Sequence, residues 1–271
     1  MATLPQPVFI NRSRSFNKME DLDAFQVKVI ATHEVAQDTL AVVLEKPAGF
    51  DYEAGQFVSV TIPGFTPTDE DDGERMLSLA SAPHEPHLLL AMRMRDSAFK
   101  RHIAQLRPGD ALTISPAMGD FVLPQDWQRP LVMVAGGIGI TPFLGMLRHL
   151  GQRAAVAPLP RPVTLLYGNR NPASAAFREE LQALRQTLPG CRVVHVFSEV
   201  PADAGAGAGG DDGSVFSGLI TPELIRQVLP DCRDCHFFVV GPDVMVATLQ
   251  DHLDACEVPP EQVTLEFFAG Y

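Results

Sequence analysis

A glycine-rich turn, GGIGITP at 136–142, has the residue types and spacing of an anion-binding site. The apolar run at 131–135 before it predicts a strand buried on both faces. After the turn, Thr141 is a good N-cap, Pro142 suits the first helical position, and Gly151 can end the helix. Free backbone N–H groups and the positive end of the helix dipole then face the space over the turn, where glycine allows close approach. We therefore expect this turn to bind a pyrophosphate.

Cysteines and acidic residues give weaker patterns. The four cysteines are too few and too widely spaced for a disulfide framework. Cys232 and Cys235 form the only close pair, which lacks the partners that an iron–sulfur cluster or a structural zinc needs. The acidic run at 69–74 is interpreted as a solvated loop, since charge runs usually face water. We therefore expect no metal site.

Composition narrows the class of protein. The chain has 271 residues, 46% of them hydrophobic, which is typical of a globular protein of one or two domains. A formal net charge of −12 argues against nucleic acid and anionic membrane surfaces as partners. Residues 1–23 are interpreted as a tail without an apolar core of signal-peptide length. The sequence predicts a cytoplasmic protein with no membrane span, and leaves its oligomeric state open.

The first half of the chain has the pattern of an antiparallel β domain. Runs rich in Val, Ile and Thr, bounded by turn residues, predict six strands at 25–35, 39–47, 55–63, 75–81, 87–95 and 111–115. One short helix is predicted over 97–106. Short strands with a single helix indicate a six-stranded barrel, which we assign to a domain at 24–129.

From residue 130 to 271 the predicted strands alternate with helices, as in a parallel sheet covered on both faces. Strands are expected at 131–135, 163–168, 192–198, 236–240 and 263–268, and helices at 142–150, 174–187, 222–229 and 243–256. Thr221 and Pro222 repeat the helix-start pattern, and the Gly/Ala-rich stretch at 204–213 is interpreted as a surface insertion. A five-stranded doubly wound domain after a barrel predicts a ligand crevice at the carboxyl ends of the strands.

Four separated stretches resemble one family, the ferredoxin–NADP reductase superfamily of flavin-dependent oxidoreductases, from residue 25 to the C-terminus. RMLSLAS at 75–81 is similar to the family's flavin motif R-x-[Y/F]-S-x-x-S, and GGIGITP resembles its nicotinamide-nucleotide motif. VVGPDVM at 239–245 resembles its C-G-P-x-x-M, and LEFF at 265–268 resembles its C-terminal strand. The resemblance implies FAD and NAD(P)H as cofactors, with a hydride passing from nicotinamide to flavin.

The resemblance also implies roles for individual residues. Ser78 would lie by the reacting nitrogen of the flavin and Glu266 could relay a proton, so both are candidate catalytic residues. Arg75 offers a charge to phosphate; Arg93 and Arg95 match the family's phosphate segment loosely, and structural salt bridges are an alternative for both. The cofactor-binding set is Arg75, Met76, Leu77, Ser78, Ala80, Ser81, Met92, Arg93, Arg95, Ser97, Ala98, Phe99, Gly137, Ile138, Gly139, Thr141, Pro142, Arg170, Ser198, Glu199, Gly241, Pro242, Met245, Glu266 and Phe268.

Two residues depart from the family pattern. Leu77 replaces the aromatic residue that lies against the flavin, which removes ~0.5–1.5 kcal/mol of stacking. Val240 replaces the cysteine near the nicotinamide, so it is read as strand core, and hydride transfer does not need a thiol there. Tyr271 could cover the flavin ring, or belong to a frayed terminus.

These observations predict an NAD(P)H-dependent reductase that passes single electrons to an external acceptor such as a ferredoxin or an oxygenase component. A free-flavin or ferric reductase and a non-catalytic subunit of the same fold are the alternatives. Glu199 follows Ser198 where NADP-selective members carry arginine. Because a carboxylate repels the 2′-phosphate, NADH is the expected nucleotide; Arg170 could compensate for this repulsion.

Overall fold

The computed structural model describes residues 24–68, 71, 73–125, 127–199 and 215–268. The predicted N-terminal tail, the insertion at 204–213, Tyr271 and half of the acidic run (69, 70 and 72) lie outside the described residues. Within them the chain forms two six-stranded sheets, one antiparallel and one parallel. This confirms the predicted fold class of a β domain followed by an α/β domain.

The first sheet has the strand order β4-β3-β6-β1-β2-β5, and every ladder in it is antiparallel. A single helix, α1, connects β5 to β6; Ser97 caps it by accepting a hydrogen bond from the Lys100 amide. The elements are β1 (Phe25–Ala36), β2 (Thr39–Glu45), β3 (Phe57–Thr61), β4 (Glu74–Ser78), β5 (His87–Arg93), α1 (Ala98–Ile103) and β6 (Ala111–Ile114).

The second sheet has the strand order β10-β9-β8-β7-β11-β12 and is parallel throughout. The elements are β7 (Leu131–Gly136), α2 (Ile140–Ala154), β8 (Val163–Asn169), α3 (Arg178–Thr187), β9 (Cys191–Phe197), β10 (Val215–Ser217), α4 (Pro222–Val228), β11 (His236–Pro242), α5 (Asp243–Ala255) and β12 (Val263–Phe268). Strand β10 corrects the prediction of five strands. Three residues beside a low-complexity stretch are too few to show a strand periodicity.

The start and the end of α2 also differ from prediction. A 3₁₀ turn over Gly137–Gly139 runs directly into α2 at Ile140, so Thr141 is not its N-cap. The Thr141 hydroxyl instead donates to the Ile138 carbonyl at 3.0 Å, a local bond common for threonine inside helices. Gly151 does not end the helix, which continues to Ala154. The Thr221 cap of α4 is confirmed by a 3.3 Å bond from the Leu224 amide.

The chain leaves β7 toward β8 and later returns to β11 on the other side of β7, so β7 and β11 flank the switch point of the parallel sheet. Ligands of such sheets bind outside the carboxyl ends of the strands at this point. One buried cluster joins the two sheets: it contains Leu89 from the first sheet, Met133 from the second, and Phe143 and Leu147 from α2. The fold therefore presents a crevice backed by a continuous apolar core.

Candidate functional site

A cleft of about 820 Å³ opens at the switch point, within the range typical of small-molecule sites. Gly136 at the end of β7, and Gly137 and Ile138 in the turn after it, form one wall; Pro242 at the end of β11 and Met245 in the first turn of α5 form another. Nine of the predicted site residues line the cleft: Arg93, Arg95, Gly137, Ile138, Arg170, Ser198, Pro242, Met245 and Phe268. The predicted crevice thus exists where the strand order places it.

The three glycines of the turn have different physical reasons to be glycine. A Cβ on Gly136 would lie 2.2 Å from the Met245 sulfur, and one on Gly139 would lie 2.6 Å from the Val240 carbonyl oxygen. Gly139 is therefore required by the packing of the turn on the backbone of β11, whereas a side chain at 136 would have to displace the end of the flexible Met245 side chain. Gly137 has φ +54°, and a Cβ there would meet only the Arg93 Nη2, at 3.8 Å. Gly137 is therefore the glycine that faces the ligand space.

Arg93 stands across from Gly137 and links the two sheets. Its guanidinium donates to the Gln37 carbonyl at 2.8 Å and to the Ser174 carbonyl at 3.1 Å. Burial, followed by the positive charges of Arg170 and Arg95, lowers the pKa of Arg93. A positive group therefore sits at the mouth of the glycine turn, where it can pair with an anion that the backbone N–H groups also bind.

Arg75, at the flavin-like motif, is held by its neighbours. Asp71 accepts one bond from the Arg75 Nη2 at 3.0 Å, one from the Phe99 amide at 2.9 Å and one from the Gly73 amide at 3.1 Å. The guanidinium also lies over the Phe99 ring, 5.2 Å from its centroid. Burial raises the pKa of Asp71, but its hydrogen bonds and Arg75 outweigh burial and lower it. Asp71 is thus an ionised anchor between the loop, α1 and β4.

Lys100 is a functional candidate that the sequence reasoning missed. Burial, followed by the charges of Arg95 and Arg75, lowers the pKa of its ammonium, so the three cations lie near one another. Lys100 lies in the middle of the short helix α1, three residues after the Ser97 cap. The signal available in the sequence was its place just after Arg93 and Arg95, beside the residues that loosely match the family's phosphate segment.

Five basic side chains lie between β4, which carries Arg75, and the end of β8, which Arg170 follows. Arg93, Arg95 and Arg170 line the cleft, and Arg95 and Arg75 both lie near Lys100, so we call these five residues the basic series. In a chain of net charge −12 this is a local concentration of positive charge. The donor set fits ligands that carry several phosphates, as both FAD and a nicotinamide dinucleotide do.

The two candidate catalytic residues lie on different strands. Ser78 ends β4, is 7% exposed, and is not among the residues that line the cleft. Glu266 is half-buried on β12, opposite Val240, which is fully buried strand core. Phe268 ends β12 and lines the cleft. The structure therefore brings the C-terminal strand, but not Ser78, to the cleft wall.

Several other predicted site residues are packed inside the protein. The Ser81 hydroxyl bonds the Tyr52 hydroxyl at 2.9 Å and accepts from the Leu89 amide at 3.0 Å. Buried in the same way are Leu77, Ala80, Met92, Phe99 and Thr141. Glu199 does not line the cleft, and its carboxylate accepts a bond from Asn171 at 3.2 Å. These residues therefore make packing contacts or hydrogen bonds within the protein.

Much of the cleft wall was not predicted. The missed lining residues are Asp38, Met94, Gly136, Gly168, Asn169, Ser174, Val196, Gly218, Leu219, Ile220, Val244, Thr248, Leu249 and His252. Leu219 and Val244 are apolar but 68% and 80% exposed, which suits the face of a planar ring. Gly218 and Leu219 follow β10, so missing that strand concealed this end of the cleft.

Cys232, Cys235 and His236 have the C-x-x-C-H spacing of covalent haem attachment. The two thiols are 3% and 4% exposed in an apolar cluster, and burial raises the pKa of Cys235 to about 11. The His236 ring bonds the Thr264 hydroxyl at 3.1 Å. These contacts identify the motif as core packing.

Across the described ranges, no group of three or more His, Cys, Asp and Glu side chains could hold a metal ion. None of the helices in the same ranges has the length and apolar character needed to cross a bilayer.

Comparison with known proteins agrees with this geometry. Residues 133–251 match the family model of the oxidoreductase NAD-binding domain. The reductase component 1 of terephthalate 1,2-dioxygenase from Comamonas sp is 33% identical over 191 residues, which cover 68% of this chain and 53% of that protein. A flavohemoprotein from Deinococcus radiodurans is 29% identical over 219 residues, with 80% and 51% covered. The chain spans about half the length of these curated relatives.

Solved structures share the fold. The cytochrome P450 reductase GcoB from Amycolatopsis superposes with a TM-score of 0.74 at 25% identity, covering 91% of this chain and 71% of that one. A ferredoxin NADP+ reductase from Neisseria gonorrhoeae, solved with bound FAD and NADP, gives a TM-score of 0.69 at 23% identity, with 90% and 98% covered.

Proposed function

Because the chain belongs to the ferredoxin reductase-like superfamily of FAD- and NAD(P)-binding oxidoreductases, we propose that it is an NAD(P)H-dependent flavoprotein reductase with an external electron acceptor. The observation that carries the proposal is the basic series that runs from the flavin-like motif to the nucleotide cleft. FAD, when bound, supplies the conversion of a two-electron hydride into single electrons. The protein supplies binding, orientation and electrostatics.

Two groups of residues would hold the cofactors. Arg75, Lys100 and Arg95 offer charges to the flavin phosphates beside α1. The turn at Gly137, with Arg93 opposite it, would bind the nucleotide pyrophosphate. Accordingly, we assign flavin binding to a domain at 24–129 and nucleotide binding to a domain at 130–271. Ser78 and Glu266 remain our candidates for residues that act on the transferred hydride and proton.

The proposed acceptor is a ferredoxin or an oxygenase component. Support comes from the names of similar proteins, which include a dioxygenase reductase component and a cytochrome P450 reductase. The electron acceptor would dock outside the described cleft, since the cleft is occupied by nucleotide in this proposal.

Purified protein tests the function directly. We expect yellow protein that keeps flavin through gel filtration, releases FAD on heating, and is bleached by NADH or NADPH under anaerobic conditions. Colourless protein that oxidises NADH only with added flavin would instead identify a free-flavin reductase. Colourless protein that is inert to both nucleotides, with and without flavin, would identify a non-catalytic subunit. Released FMN would refute the assignment of FAD.

Cofactor preference is proposed to depend on Glu199 and Arg170. The Glu199 amide donates to the Arg170 carbonyl at 2.8 Å, so their main chains are adjacent, and Arg170 lines the cleft. A carboxylate near the 2′ position repels phosphate, so kcat/KM should favour NADH. Glu199→Arg should raise the NADPH/NADH ratio about 10-fold, the equivalent of ~1.4 kcal/mol. Arg170→Ala, the matched variant, should lower it. A wild type that prefers NADPH would refute the role of Glu199.

A further inference from the structure

Helix α2 touches residues 79–81, the end of the flavin-like motif, without an intervening side chain. A Cβ on Gly145 would lie 2.7 Å from the Ser81 carbonyl oxygen and 2.8 Å from the Leu79 carbonyl oxygen. Both are backbone atoms, which cannot rotate away as the end of a side chain can. Any larger residue at 145 must therefore move the helix and this segment apart.

Arg148 lies three residues further along the same face of α2. Its Nη1 bonds the Glu85 carboxylate at 3.0 Å and its Nε bonds the Glu180 carboxylate at 2.6 Å, and its side chain is 19% exposed. Glu85 also accepts from the Ala82 amide at 2.8 Å. Arg148 thus joins α2 to the loop after Ser81 on one side and to α3 on the other, through charge-assisted hydrogen bonds.

The segment that α2 contacts is itself anchored to the first sheet. The Ala80 amide donates to the Leu89 carbonyl at 2.8 Å, and the Ser81 hydroxyl bonds Tyr52 and the Leu89 amide. Because Ser78 lies just before this segment and the Gly137 turn lies just before α2, one rigid contact connects the two motifs. Gly145 is only ~9 Å along the helix from Gly139.

We propose that Gly145 and Arg148 are positioning residues that set the distance between the flavin-like motif and the nucleotide turn. This inference rests on the proposed function, because it assigns the spacing a role in hydride transfer. Neither residue contacts the cleft described above. The role is to hold two binding sites in register, since closely packed interiors transmit displacement.

Gly145→Ala tests the backbone contact, and Gly151→Ala is its matched control in the same helix. Ordinary contacts begin near 3.4 Å, so a Cβ at 145 requires a separation of roughly 0.7 Å, whereas one at 151 meets only the Thr187 hydroxyl at 3.7 Å. Since a 1 Å misplacement can cost ~10²-fold in rate, we expect ~10-fold slower flavin reduction in stopped flow. The charge-transfer absorbance of the nucleotide complex should also fall, with the nucleotide Kd and flavin content unchanged.

Glu85→Gln and Glu180→Gln each remove one of the two ion pairs of Arg148, so their effects can be compared. Glu85→Gln weakens the link to the first sheet and should slow flavin reduction, and Glu180→Gln should leave the rate within ~2-fold of wild type. Arg148→Lys should restore part of the rate lost in Arg148→Met. In flavin-free protein, hydrogen exchange of residues 79–89 should increase in Glu85→Gln and not in Glu180→Gln.

The outcomes separate this inference from the proposed function. A wild type that binds no flavin, or is reduced by neither nucleotide, refutes the proposed function and this inference with it. A reducible wild type in which Gly145→Ala and Gly151→Ala have equal rates and equal charge-transfer bands refutes the positioning role alone. If Gly145→Ala fails to fold, the comparison of Glu85→Gln with Glu180→Gln tests the inference. Equal rates of flavin reduction and equal hydrogen exchange of residues 79–89 in these two variants would overturn it.

Discussion

Gly137→Val is the most informative substitution in the cleft, because position 137 combines open space with a left-handed backbone. A Cβ there points toward Arg93, whose nearest nitrogen would be 3.8 Å away, and so enters the gap that a phosphate bound by both would fill. The backbone at φ +54° is also strained by any side chain, at a cost of ~1–2 kcal/mol.

The effect on nucleotide binding follows from the contact that is lost. A hydrogen bond to a charged group contributes ~1.5–3 kcal/mol, and each ~1.4 kcal/mol changes Kd tenfold. Gly137→Val should therefore raise the Kd of the nicotinamide dinucleotide ~10- to 100-fold. Titration of the flavin-loaded protein with NAD+ or NADP+, by calorimetry, measures this change. Bound flavin, measured by its absorbance per chain, should not change.

Gly190→Val is the matched control. Gly190 has φ +85° and no heavy atom within 4 Å of a Cβ, so it carries similar strain at a turn before β9. Both variants should melt a few degrees lower, and only Gly137→Val should lose nucleotide affinity. Loss of flavin with unchanged nucleotide affinity would show that the turn has been assigned to the wrong ligand. Equal nucleotide affinity in the two variants would refute the reasoning altogether.

Three further predictions concern other residues. Ser78→Ala should slow flavin reduction by nucleotide ~10²-fold, the loss typical of a positioned donor, as measured by stopped flow. Asp71→Asn should lower both flavin retention and stability, because Asp71 orients Arg75; binding is measured by flavin fluorescence. His195→Phe should flatten the pH dependence of stability. Burial, with a smaller effect of Arg178, lowers the pKa of His195 to about 4. The histidine of the unfolded chain has an ordinary pKa of ~6.5, so between these two values the unfolded chain binds more protons than the folded one. The free energy of unfolding therefore decreases as the pH is lowered through that window.

Each of the three has a contradicting result. An unchanged reduction rate in Ser78→Ala would make Ser78 a packing residue. Tighter flavin binding in Asp71→Asn would show that the carboxylate opposes the phosphate instead of orienting Arg75. For His195, the free energy of unfolding is measured with urea at pH 7 and at pH 5. Between these pH values it should decrease by ~2 kcal/mol more in wild type than in His195→Phe. Equal losses would mean that the ring is protonated as readily in the folded protein as in the unfolded one.

The architecture was predictable because it depends on patterns that the sequence displays directly. Alternating Val, Ile and Thr runs gave the first sheet, and the strand–helix alternation gave the second. Strand β10 was not predictable, because three residues that pair with β9 have no period of their own. The same omission concealed Leu219 beside the cleft.

The site was predictable at the level of motifs and not at the level of contacts. The sequence shows three glycines at 136, 137 and 139, but only coordinates separate the two that pack on Met245 and Val240 from the one that faces ligand space. Likewise, the match to a flavin motif identifies Arg75 but says nothing about Asp71. Asp71 is only four residues from Arg75, but its bond from the Phe99 amide depends on the loop lying against α1, 28 residues further along the chain, which no local spacing encodes.

The basic series has a consequence for how ionic strength acts on this protein. Nucleotides and flavin are anions, so at long range they are repelled by a chain with net charge −12. Only within a Debye length, ~8 Å at physiological ionic strength, do the five cations dominate. Added salt should therefore accelerate the encounter by screening repulsion, and should also accelerate dissociation by screening the cleft. Because the net negative charge acts at long range and the five cations act at short range, salt raises both the association and the dissociation rate constants. The two effects partly cancel in their ratio, so the affinity should depend less on salt than either rate constant does.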